Sequence, residues 1–146
     1  MKRRGLQLNR RHRLVFYSTC LLLFISGVSW AWAGRLDDAA QGTEFWRNLK
    51  PSLLKIHGLS AMVFVLLFGT LLPGHVWRAW HAHKNRVNGA TFLILISVLT
   101  LSGYVLYYLS NETARELTGQ VHFWLGLVSP LLLTWHVYKG RIATRK

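Results

Sequence analysis

GQVHFWLGLVSPLLLTWHVYKG, residues 119–140, decides how this chain is read. No charged side chain falls between Glu116 and Lys139. That run is long enough to cross a bilayer, for which a helix needs about 20 residues. Yet a histidine sits near each end, His122 and His136. Ionisable side chains are costly in lipid and mark function there. Three further uncharged runs precede this one, between Arg13 and Arg35, Lys55 and Arg78, and Arg86 and Glu112. The pattern predicts an all-α integral membrane protein, an up-down four-helix bundle forming a single domain over residues 1–146. Its helices are expected at about 14–33, 53–77, 90–109 and 120–138. Short connections make successive helices antiparallel neighbours.

The net charge of +13 is unevenly spread. The N-terminal residues up to Arg13, the connection around 77–89 and the tail from Lys139 carry thirteen of the 18 Lys and Arg and no acid. All five acids (Asp37, Asp38, Glu44, Glu112 and Glu116) fall in the other two connections. The positive-inside rule then puts both termini in the cytoplasm of a multi-pass protein of the bacterial inner membrane. The basic patches set topology and touch anionic lipid head groups, so no nucleic-acid partner is expected.

Cys20 is the single cysteine, so an intrachain disulfide is impossible, and without C-x-x-C-H no covalent haem attachment is expected. Ala31-Trp32-Ala33 resembles a signal-peptidase site, but the run before it is longer than the 7–15 residues of a signal core. A retained first helix is therefore expected. Pro51-Ser52 reads as the start of the second helix. Pro73 and Pro130 lie inside the second and fourth, where neighbours can satisfy the freed carbonyls. Residues 34–52, containing Phe45-Trp46, form the longest expected loop and the expected docking surface. No internal repeat stands out.

Seven histidines remain to be placed. His57 and His75 lie near the outer and inner ends of the second helix, and His122 and His136 lie likewise on the fourth. At about 100° per residue, an interval of 18 returns to the same face and an interval of 14 returns nearly so. If these faces look inward, His57 meets His122 and His75 meets His136. The unequal intervals differ by about 6 Å of helix rise, which the Pro73-Gly74 kink or tilt must absorb. His81 and His83 read as loop residues and His12 as interfacial; all three are reserve inner ligands. Two imidazoles per site, without acid or thiol, do not suit tetrahedral zinc. They do suit a porphyrin iron, which brings four nitrogens of its own and needs only axial ligands. Two b-type haems are thus expected. Gly58, Gly69, Gly74, Gly103 and Gly126 could let a ring approach the backbone. Arg35, Lys50, Lys55 and Arg115 outside, with Arg78, Arg86, Lys139 and Arg141 inside, could meet propionates.

KIHGLSAMVFVLLFGTLLPGHVWRAW, LTLSGYVLYYLSNE and VHFWLGLVSPLLLTWH are similar to segments of small four-helix b-type cytochromes. Over roughly residues 12 to 140 the chain resembles bacterial di-haem cytochromes b. These include the b561-like proteins and the cytochrome b subunits of formate dehydrogenases and hydrogenases. The resemblance implies bis-histidine ligation by His57 with His122 and by His75 with His136. It implies electron exchange between quinone or quinol and a periplasmic redox partner, such as a c-type cytochrome or a larger redox subunit. The chain would then be an electron-transfer subunit rather than a stand-alone enzyme. A haem-free membrane anchor or assembly subunit is the alternative. A histidine-lined transporter is disfavoured, because no Asp or Glu lies within any run.

Overall fold

The computed structural model describes residues 10–39, 43–81 and 86–145, and every regular element in them is helical. Helix α1 spans Arg10–Ala39 and α2 spans Glu44–Leu71. A π turn, Leu72–Val76, and the short α3, Trp77–His81, carry the same helix onward. Helix α4 spans Arg86–Val105 and α5 spans Glu112–Arg145. Four stretches, Arg10–Leu36, Glu44–His81, Arg86–Val105 and Glu112–Ile142, are long and apolar enough to cross a membrane. Their outer faces fit that solvent: Leu66, Leu101 and Leu131 are exposed by 71%, 63% and 71%. Apolar surface on that scale is a liability in water and is matched by lipid.

The chain divides into two compact units, Met1–Gly74 and His75–Lys146. In the first, α1 pairs with α2; in the second, α4 pairs with α5. Both are antiparallel hairpins. His12 reaches Thr70 while Ser26 reaches His57, and Asn88 reaches His136 while Ser102 reaches His122. The first hairpin closes over Phe16 and Phe64, whose rings lie 5.4 Å apart, and both are buried. Leu95 and Ile96 are the buried apolar residues of α4.

Three expectations need correction. Pro51 does not start the second helix; it lies within α2, whose N-cap is Thr43. Residues 34–52 are not a loop, since α1 runs to Ala39 and α2 begins at Glu44. A charged residue does not end these helices, because Arg, Lys and Glu are good helix formers and carry the helices past the apolar runs. The third helix stops at Val105, short of Leu109. Tyr107 and Tyr108 tighten into turns on the carbonyls of Tyr104 and Val105. Asn111 then opens α5, its Oδ1 accepting the Ala114 N–H at 2.9 Å, as an N-cap does.

The prolines show how backbone groups are satisfied. Pro130 has no N–H for the Gly126 carbonyl, and the Ser129 hydroxyl donates to it instead at 2.8 Å. Pro73 likewise leaves the Gly69 carbonyl, which accepts from the Leu72 N–H. The ladder is re-registered there as the π turn, one of the usual origins of a helix irregularity. Replacing Asn111 by Ala should cost about 1 kcal/mol of stability in detergent, read by denaturant titration, while Asn111→Asp keeps the cap. Equal stability of all three proteins would mean that the cap is not what sets the start of α5.

Candidate functional site

Each hairpin holds one histidine against a Ser-Gly pair on its neighbouring helix. On α2, His57 Nδ1 lies 3.1 Å from Ser26 Oγ and 3.1 Å from the Leu23 carbonyl. A carbonyl only accepts, so Nδ1 carries the proton and, in the neutral ring, Nε2 carries the lone pair. Ser26 donates its own proton to the Leu22 carbonyl at 2.7 Å, which leaves its oxygen to accept. A Cβ on Gly27 would stand 3.0 Å from His57 Cε1, so only glycine lets the ring in unchanged.

The second hairpin repeats the device. His122 Nδ1 on α5 lies 2.9 Å from Ser102 Oγ on α4, and Ser102 donates to the Leu99 carbonyl. A Cβ on Gly103 would stand 3.1 Å from His122 Cε1. The spacing matches along both first helices: His12, Phe16, Ser26 and Gly27 on α1 correspond to Asn88, Phe92, Ser102 and Gly103 on α4. A second polar clasp recurs with its partners exchanged. His12 Nε2 lies 3.3 Å from Thr70 Oγ1 in the first hairpin, and Asn88 Nδ2 lies 3.3 Å from His136 Nδ1 in the second.

His75 and His136 come together within the second unit. Their ring centres are 6.2 Å apart and the planes are inclined by 72°. Phe92 stacks on the other side of His136, with centroids 5.0 Å apart and planes 16° apart. His75 lies in the π turn, so the irregularity expected near Pro73-Gly74 falls at the histidine itself. π turns interrupt α-helices disproportionately at functional sites. Among these four histidines, His75 differs: its Nδ1 is buried without a hydrogen-bond partner. Leaving such a group unpaired costs about 1–3 kcal/mol.

The remaining histidines are placed more simply. His81 turns back to the Trp77 carbonyl at 2.8 Å from Nδ1 and is exposed. His83 lies outside the described residues. Gly103 was expected to admit a cofactor ring, and what it admits is the His122 imidazole. Gly69 meets nothing within 4 Å, and Gly126 meets only Leu99 at 4.0 Å. Ser26, Gly27 and Ser102 were not anticipated. Their signal is short, a Ser-Gly pair in an apolar helix preceding a helix with a histidine. No three of His, Cys, Asp and Glu gather as a metal-binding group among the described residues.

No family model, curated protein or solved structure matches the chain. The imidazoles can be tested directly. In metal-free protein, 15N spectra of histidine-labelled samples should show the Nδ1–H tautomer at His57 and His122. Ser102→Ala should shift His122 toward Nε2–H and leave His57 unchanged. Nε2–H at both positions in the wild type would contradict this geometry.

Proposed function

We propose that the chain is a membrane cytochrome that passes single electrons across the bilayer through two b-type haems. One is held by His75 and His136, and the second takes its axial imidazoles from His57 and His122. The observation that carries this reading is the His75–His136 pair. Two imidazoles sharing one metal atom have ring centres about 6 Å apart, since each metal–nitrogen bond is about 2 Å long. The rings here lie 6.2 Å apart. The partnerless buried nitrogen of His75 also favours a ligand, because neutral imidazole can bind metal through either nitrogen. Haem iron needs only these two donors from the protein, and supplies a reversible one-electron change when bound.

What the chain contributes is orientation. Metal-bound histidines characteristically donate the other ring N–H to an oxygen, which fixes the tautomer and the ring plane. His57 and His122 are set up in that way by Leu23, Ser26 and Ser102. At His136 the Asn88 amide presents its nitrogen to Nδ1. The same amide turned over presents its oxygen instead, and the two orientations have almost the same shape. That orientation leaves the lone pair of His136 on Nε2 for the metal. Phe92, stacked on His136, limits the swing of the ring.

In this reading the four spans form one bundle in a bacterial inner membrane, with both termini in the cytoplasm. Electrons pass between a quinone pool and a redox partner on the outer side. The chain is then a conduit within a larger oxidoreductase rather than a catalyst by itself. Protein made with ample haem should yield two b haems per chain by pyridine haemochrome assay. His75→Ala and His136→Ala should each leave one, and the double variant should also leave one, because both act on the same group. A double variant that loses both haems, or wild-type protein with none, would overturn the assignment.

A further inference from the structure

Beside the His75–His136 pair, a groove of about 670 Å³ runs between α4 and α5 in the second hairpin. Its lining joins two cations, Arg86 and Lys139, to Phe92, Leu132 and Trp135 and to the Asn88 amide. No acid lines it. Both cations are placed by aromatic neighbours. Arg86 Nε donates to the Trp80 carbonyl at 2.9 Å, and the guanidinium lies 5.3 Å from the Trp80 ring centre. The Lys139 ammonium lies 4.8 Å from the centre of the Trp135 ring. Arg86 opens α4 and Lys139 ends the uncharged run of α5, so the two charges stand at one end of the hairpin. That is the end rich in Lys and Arg, where Trp80 and Trp135 are of the kind found in an interfacial aromatic belt.

We propose that this groove binds an anionic phospholipid, with its phosphate between Arg86 and Lys139 and an acyl chain along Phe92, Leu132 and Trp135. The charge pattern repels a cationic ligand and leaves a neutral one without use for either cation. Among the described residues, no histidine lines the groove. A lipid phosphate needs the combination present: paired cations at the interfacial level and an apolar wall continuing toward the membrane interior. Basic pockets between transmembrane helices hold anionic head groups in this way. Asn88 and Phe92 line the groove and also touch His136, so an occupied groove would brace both neighbours of that imidazole. The lipid assignment does not depend on whether haem is bound.

The full-length protein, purified in detergent, should be equilibrated with phosphatidylglycerol and phosphatidylcholine of matched chains and examined by native mass spectrometry. Retention of phosphatidylglycerol should exceed that of phosphatidylcholine on the order of tenfold, as two interfacial cations permit. Arg86→Gln with Lys139→Gln should abolish the preference, and Arg86→Lys with Lys139→Arg should keep it. Arg10→Gln with Arg13→Gln removes the same charge outside the groove and should leave the preference intact. Brominated phosphatidylglycerol should also quench wild-type tryptophan emission more than brominated phosphatidylcholine, a difference lost in Trp135→Phe. Equal losses in the two neutralised pairs would show unspecific surface charge and overturn the site. So would a wild type that retains both lipids alike, or a quenching difference between the two brominated lipids that survives Trp135→Phe.

Discussion

A polar group inside hydrocarbon must find its partner within the protein, and this constraint organises the chain from backbone to imidazole. Water is absent there, and an unpaired group costs several kcal/mol. The long helices answer the constraint for the backbone. Where proline breaks the ladder, Ser129 and Leu72 supply the missing donors to Gly126 and Gly69. Hydroxyls along the spans turn back on their own helices, as Ser60 does to Ile56 and Thr100 to Ile96. His57, His122 and His136 are not satisfied so locally; each finds its partner on the neighbouring helix. The hairpin is the smallest unit that provides one.

The repeated Ser-Gly device follows from that need. Serine spends its proton on its own helix and offers its oxygen across the hairpin. Glycine removes the Cβ that would stand about 3 Å from the ring. The outcome is a tautomer fixed at His57 by the Leu23 carbonyl and a hydroxyl partner for Nδ1 at His122. His136 is held by Asn88 and Phe92, while the buried Nδ1 of His75 has no hydrogen-bond partner. A site with one imidazole held and the other lacking a hydrogen bond at Nδ1 is suited to a ligand that completes it. The proposed haem rests on this asymmetry together with the spacing of the two rings.

Much of the fold could be read from the sequence, because hydropathy and helix length are local properties. Four uncharged runs translate into four helices long and apolar enough to cross a membrane. Helix ends were less legible. Arg10–Arg13 and Glu112–Thr118 are helical although polar, since helix propensity does not depend on lipid. Asn111 before Glu112 was the overlooked sign of the true start of α5. In the site, Pro73-Gly74 signalled an irregularity in the second span, and the π turn Leu72–Val76 falls there. Ser26, Gly27 and Ser102 could not be found by periodicity. Their role is visible only when the antiparallel register sets them opposite His57 and His122. Gly103 was noticed for its size, and the side chain it makes room for here is the His122 imidazole.

The proposed axial ligands are the centre of the account, and electron paramagnetic resonance of the oxidised protein at low temperature reads them directly. Two imidazoles inclined by 72°, as His75 and His136 are, give a strongly anisotropic low-spin ferric signal. The account predicts low-spin signals of bis-imidazole type, with that strongly anisotropic one lost in His136→Ala. A dominant high-spin ferric signal would mean that the iron has one histidine or none. Such a spectrum, or no haem signal from haem-supplied protein, would contradict the paired-histidine site.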